Sequence, residues 1–433
     1  MSYAVDLEPE PPVEGAGAAQ GASAAASSRR RGAAAVSITA TIVFLAIAAY
    51  VGAVFVHPVP AAAAVVSASA TTPLTTAAVD PAWPAHGSAA IGVVGQQGLL
   101  GSHGSQKALP MASMTKTITA LVLLDKYKLA AGQQGPTITF TDADVKILEQ
   151  VWAEDGSWAK VAAGEKLTLT QALTAMMLPS ANNYARSLAV WSYGSQAAFV
   201  KAANAWLKKH GFTHTVMTDP SGLNAGSVST PADLVGIGEL AIANPVLAAV
   251  VDTKSATLPT VGKITNTDPL IGQDGIKGVK TGYTDEAGHC LLFAATVDVN
   301  GTPRTFVGVV VGQPTYEAVW AAVPELLASY EAAYHDVDLT SSGSTVYGEY
   351  STPWGGSAHL VAASDPHLEI YSAGTVSVKV DAPSLGAAAS GSAAGTVTFT
   401  GPDGAKTTVP LRTEGALAAP SLWWKLTHPR DVF

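Results

Sequence analysis

The sequence predicts an α+β domain, with an antiparallel sheet covered by helices, preceded by an N-terminal transmembrane helix and followed by a small all-β domain. Three observations carry this. Strand-like runs flank a middle that is mostly helical in its apolar spacing: "AAIGVV" (89–94) before it, "HCLLFAATVDV" and "RTFVGVVVG" after it. The latter two are joined through Asn300 and Gly301, a dipeptide suited to a tight hairpin, so the sheet there is antiparallel. Beyond His335 the texture changes to period-two alternation around turn residues, in "GTVSVKV" and "GTVTFTGPDGAKTTVPL".

Taken in order, residues 1–31 are Ala-, Gly-, Ser- and Pro-rich and end in Arg29–Arg31, reading as a disordered cytoplasmic tail. No charge occurs from Gly32 to Val56, and "VSITATIVFLAIAAYVGAVFV" is long enough to cross a bilayer. A cleavable signal has a shorter apolar core, which favours a retained anchor, with "PAAAA" (60–64) as the alternative processing site. The arginines put the tail inside and all that follows Val56 on the extracytoplasmic side of the cell membrane. Residues 57–82 read as an Ala/Pro/Ser/Thr tether, reaching up to ~85 Å when extended.

A globular domain is expected over 83–338. Its helices have legible starts: Thr168 and Gln171 at capping-box spacing, and Thr230 before Pro231. Pro179 stops the first of these, and another helical segment starts near Asn182. "GIKGVKTG" is a further strand, and a helix at about 315–334 closes the domain. Residues 339–433 form the β-rich domain.

The chain of 433 residues is 48% hydrophobic and 13% charged, enough for two or three domains with a sizeable core. Its net charge of −9 comes without a basic stripe, which argues against nucleic acid as a partner. Cys290 is the single cysteine, expected as a small buried core residue, and no Cys/His cluster has metal-ligand spacing, so neither metal nor cofactor is expected.

Chemistry enters at "ASMTKTITAL", where Ser113 and Lys116 stand three apart on one helical face. A serine hydroxyl needs an adjacent base, and a lysine serves if desolvation or a neighbouring cation lowers its pKa. Two further stretches join it. "LPSANNYA" places Ser180 and Asn182 after a proline-broken helix, and "GVKTGYT" places Lys280, Thr281 and Gly282 on a strand. Gly282 is expected to let a substrate backbone lie close.

In the order S-x-x-K, S-x-N, K-T-G, these triplets match the signature of penicillin-recognising serine enzymes. The chain resembles the low-molecular-mass penicillin-binding proteins, the serine D-alanyl-D-alanine carboxypeptidases. The blocks "DPSGLN", "STPADL", "ITNTDPL" and "GVKTGYTDEAGHCLL" extend the likeness over residues 85–335. The ending "PSLWWKL" is similar to the accessory domain of many members. The resemblance implies a β-lactamase/transpeptidase-like fold and an acyl-enzyme on Ser113, with Lys116 taking its proton. It implies that Ser180, near Asn182 and Lys280, relays a proton to the leaving D-alanine of a peptidoglycan stem peptide. Lys280 and Thr281 would bind the terminal carboxylate, and the backbone N–H groups of Ser113 and Tyr283 would form the oxyanion hole. β-Lactams would act as covalent inhibitors.

Asn183 and Asn224 stand where the family often has aspartate. The alternatives within the superfamily are a β-lactamase or DD-endopeptidase; from another class, a non-catalytic muropeptide or β-lactam receptor. His103 and His289 read as structural, Asp285 and Glu286 as turn residues, and Trp423 and Trp424 as packing within the β domain.

Overall fold

A computed structural model describes residues 19–67, 80–339, 345–371, 375–402 and 404–433, with side chains from 34 onward. Residues 1–18 of the expected tail and Gly374 of "GTVSVKV" lie outside these. The chain divides into two units, one of Leu74–Val337 with Glu369–Thr375, the other of Met1–Pro73, Asp338–Leu368 and Val376–Phe433.

The first unit is built on a five-stranded antiparallel sheet in the order Ile276–Thr284, Gly288–Val299, Thr302–Gln313, Ser88–Val93, Gly101–His103. Asn300 (φ 51) and Gly301 (φ 81) turn the central hairpin, as their sequence predicts. Alternation along Gly288–Val299 divides its side chains between two cores. Leu291, Phe293 and Ala295 pack with Val319, Val323, Leu326 and Leu327 of α9 (Tyr316–Glu331). Cys290, Leu292 and Ala294 join the larger core, shared with α2 (Thr115–Tyr127), α4 (Leu169–Met177), α5 (Asn182–Tyr193) and α7 (Pro231–Ala243). Phe293 is fully buried, so truncating it to alanine would cost about 3–5 kcal/mol. Both expected caps form. The Thr168 side chain accepts from Gln171 N while Gln171 reaches back, and Thr230 accepts from Asp233 N ahead of Pro231.

In the second unit α1 spans Ala19–Val56, longer than expected because the Ala-rich stretch before the arginines continues the helix. Within it, Ala34–Val56 is the helix, among the described residues, long and apolar enough to cross a membrane by itself. A six-stranded antiparallel sheet runs in the order Ala64–Val66, Val346–Ser351, Ser357–Ala362, Lys406–Glu414, Ala393–Thr400, Ser377–Asp381. Its first strand, Ala64–Val66, falls within the expected tether, of which residues 68–79 lie outside the described residues. Ala64–Val66 pairs with Gly348–Tyr350, and Ala62 bonds Leu385 in both directions at 2.7 and 2.8 Å. Trp424 packs edge to face on Trp354 at 5.2 Å, whereas Trp423 is 75% exposed and does not pack as expected.

Candidate active site

The chain enters α2 through one 3-10 turn, Ala112–Met114, with Ala112 at φ 43. Ser113 lies in that turn, and Lys116 follows three residues on. Ser113 Oγ and Lys116 Nζ are 2.8 Å apart. Lys116 Nζ also donates to the Ser221 carbonyl at 2.9 Å. Lys116 is fully buried. Burial holds its amine well below the ordinary lysine range, the Lys280 and Arg186 charges act the same way, and Asp219 opposes them. A neutral amine with its lone pair free for the serine proton is thereby favoured.

Asp219 is a site residue that the sequence reading missed. Its Oδ2 accepts from Ser221 N (3.0 Å), Ser221 Oγ (2.5 Å) and Gly222 N (2.9 Å), and its Oδ1 accepts from Ser227 Oγ (2.9 Å). This carboxylate fixes the loop that presents the Ser221 carbonyl to Lys116. Gly222, at φ +80, completes it, because a Cβ there would stand 1.8 Å from the Ala112 carbonyl oxygen. The available signal was "DPSG", an aspartate positioned to bond backbone N–H groups further along a turn.

After α4 ends, Ser180 adopts φ 62, and this left-handed residue redirects the chain into α5. Ser180 and Asn182 are 5% and 3% exposed. Asn182 Oδ1 is buried without a partner. Asn183 clamps the backbone of Ala159, accepting from its N–H at 3.1 Å and donating to its carbonyl at 2.9 Å. An aspartate could make only the first of these bonds.

The K-T-G residues sit inside the Ile276–Thr284 strand. Lys280 Nζ donates to Thr281 Oγ1 at 3.2 Å, and the Thr281 and Thr267 hydroxyls are 2.6 Å apart. Burial pushes the Lys280 amine down to about 7, against the opposing charge of Asp268. Asp268 is itself buried and pushed up to about 6. A Cβ on Gly282 would lie 3.2 Å from Ala112 Cβ and 3.3 Å from Ser113 N. The strand thus lies against the backbone turn that carries Ser113.

Ser113, Ser180, Asn182, Thr281, Gly282 and Tyr283 line one cleft of about 390 Å³, together with Asp155–Ser157 and Tyr316. Lys116 and Lys280 are buried and bonded to two of these lining residues, Ser113 and Thr281. Tyr316 was not anticipated. Burial pushes its hydroxyl up to about 12 despite a bond to Thr281. His289 is stacked on Tyr283 at 4.3 Å and meets Tyr316 edge-on at 4.5 Å, a packing role. His103 stacks on Trp83, Asp285 accepts from the Tyr283 hydroxyl, and Cys290 is fully buried.

The D-alanyl-D-alanine carboxypeptidase family model matches residues 83–315. A D-alanyl-D-alanine endopeptidase of Pseudomonas aeruginosa is 31% identical over 208 residues, 46% of this chain and 64% of that protein. A D-alanyl-D-alanine carboxypeptidase of a Streptomyces species is 35% identical over 205 residues, 42% of this chain and 67% of that protein. The chain therefore spans about three-fifths to two-thirds of the length of these relatives. Among solved structures, a Streptomyces DD-transpeptidase is 27% identical with a TM-score of 0.51, covering 60% of this chain and 98% of that one. A D-alanyl-D-alanine carboxypeptidase from Francisella tularensis, 18% identical with a TM-score of 0.55 over 80% of this chain and 96% of that one, shares the fold. The fold is β-lactamase/transpeptidase-like, and the family model covers more than half of the sequence. This chain belongs to the D-alanyl-D-alanine carboxypeptidase family.

Proposed function

We propose that the chain is a serine DD-carboxypeptidase that removes the terminal D-alanine from peptidoglycan stem peptides through an acyl-enzyme on Ser113. The observation that carries this is the 2.8 Å approach of Ser113 Oγ to a fully buried Lys116 amine. Lys116 takes the hydroxyl proton as Oγ attacks the carbonyl between the two D-alanines. The backbone N–H groups of Ser113 and Tyr283 stabilise the oxyanion. The proximity of Gly282 to Ser113 N supports that pairing. Ser180 passes a proton to the leaving amine, Asn182 holds the peptide, and Lys280 with Thr281 binds the terminal carboxylate. Water then releases the acyl group.

The curated relatives carry both endopeptidase and carboxypeptidase names, which supports a second reading in which the amide of a crosslink is cut by the same machinery. Mass spectrometry of the products from a linear D-Ala-D-Ala peptide and from a crosslinked dimer separates them. Release of free D-alanine from the linear peptide is expected. Cleavage of the dimer alone would replace this reading with the endopeptidase one.

The second part of the proposal is a single-pass anchor at Ala34–Val56, with the catalytic unit extracytoplasmic. Its 23 residues have a mean hydropathy of 2.3, and residues just beyond it are paired into the accessory sheet, which supports retention over cleavage.

A further inference from the structure

The accessory unit ends in two short helices that the proposed chemistry does not use, α10 (Leu422–Thr427) and α11 (Pro429–Val432). They stand against the C-terminal part of α1. The Tyr50 hydroxyl donates to the Leu426 carbonyl at 2.8 Å, and Lys425 Nζ donates to the His57 carbonyl at 3.1 Å. The Phe433 ring meets the His57 ring edge-on at 4.9 Å. Val54 is fully buried, whereas the adjacent Phe55 and Val56 are exposed.

These contacts fix a depth. The apolar run ends at Val56, and Tyr50 lies about 9 Å down the helix axis from that end. A tyrosine so placed sits where hydrocarbon gives way to headgroups. Bonded there and again to His57 just past the run, α10 lies in the same boundary layer. Leu422, Trp423 and Phe433 are exposed on this segment, and amphipathic rings favour that layer. Beside α10 opens a cleft of about 440 Å³, lined by Pro60, Trp354, Trp424, Arg430 and Asp431 among others. Lys425 lines a neighbouring cleft that shares Pro60 and Trp354. Trp424 is fixed between Trp354, edge-on at 5.2 Å, and His428, stacked at 4.6 Å. Among the described residues no carboxylate pairs with Lys425 or Arg430.

We propose that these adjoining clefts bind the headgroup of an anionic phospholipid from the bilayer that α1 crosses, with Lys425 and Arg430 on its phosphate. This rests on the anchor reading of α1, which sets the level of the clefts. Arg430 offers a planar fork that matches phosphate oxygens, and Lys425 a point charge. Leu422, Trp423 and Phe433 meet the glycerol and the upper acyl chains. Two cations against the single carboxylate of Asp431 leave one net positive charge, the complement of a phosphodiester. A phosphocholine headgroup brings its own cation and gains less.

The test is native mass spectrometry of the full chain in detergent micelles, titrated with phosphatidylglycerol and, separately, with phosphatidylcholine. One net charge near the bilayer surface predicts phosphatidylglycerol bound about fivefold more tightly or better. Arg430→Gln, at an exposed position, and Lys425→Gln should each lower that ratio about fivefold. A ratio near unity in the native protein overturns the site. So does a ratio that neither substitution lowers, the mark of binding at Arg29–Arg31 instead. In vesicles, acyl-brominated phosphatidylglycerol should quench more of the native tryptophan emission than of that from Trp423→Phe. Equal fractional quenching puts Trp423 in water and overturns the depth on which the site depends. Release of the chain from vesicles by alkaline carbonate overturns the anchor reading, and the site with it. A retained chain without the lipid preference overturns the site alone.

Discussion

Replacing Lys280 by methionine should disable the protein and make it more stable. Lys280 is 2% exposed, and burial brings its amine from the ordinary 10.5 down to about 7. In the unfolded chain the amine regains its ordinary value. Between pH 7 and 10.5 the unfolded state therefore binds more protons, and the stability owed to this group rises with pH across that window. Below pH 7 both states are protonated and the full penalty applies, about 5 kcal/mol. Methionine fills similar volume without charge and removes it. Against this stand the lost bond to Thr281, about 1 kcal/mol, and the lost cation beside Asp268. A net gain of about 2–3 kcal/mol is expected near pH 6.5, raising the Tm of the catalytic unit by about 4–10 °C. By about pH 10.5 the gain should have gone, because wild-type Lys280 is then neutral when folded and half-neutral when unfolded. Thermal unfolding of the full chain in detergent, followed by tryptophan fluorescence at both pH values, reads this directly. A methionine variant less stable than wild type near pH 6.5, or one whose gain is unchanged at high pH, would refute the reasoning.

Three other outcomes follow from the geometry. Lys116→Ala should slow acylation by penicillin and peptide alike, by about 10²–10⁴-fold, with non-covalent binding still measurable by calorimetry. A near-native acylation rate would remove Lys116 as the base. Gly222→Ala drives a Cβ into the Ala112 carbonyl at φ +80, so it should cost about 2 kcal/mol or more in denaturant titration. It should also slow acylation at least tenfold by displacing the Ser113 turn, and a silent substitution would contradict the packing described. Protease added to intact cells should digest the accessory unit, whereas digestion only after lysis would reverse the assigned orientation.

What could be read in the sequence was local chemistry: hydroxyl and amine at helical spacing, threonine caps three residues before their partners, an Asn-Gly turn between apolar runs. Such signals depend on neighbours a few residues away. The parts that escaped depend on distant ones. Ala64–Val66 is too short to show alternation, and it becomes a strand only because Val346–Ser351 offers an edge. Tyr316 follows an ordinary cap, Thr315, and nothing beside it shows that α9 begins at the cleft. Asp268 looks like a turn residue until the fold buries it near Lys280. Gly282 lies against the Ser113 turn, a neighbour that no pattern within the strand encodes.

The central claim is that Ser113 is the nucleophile, and intact-mass spectrometry of the protein after brief exposure to penicillin tests it most directly. The account predicts one stoichiometric adduct of the antibiotic's full mass, since opening the β-lactam ring loses no atoms. Peptide mapping should place it on the fragment containing Ser113, and Ser113→Ala should show none. An adduct of equal yield in Ser113→Ala, or one mapped to Ser180, would contradict it.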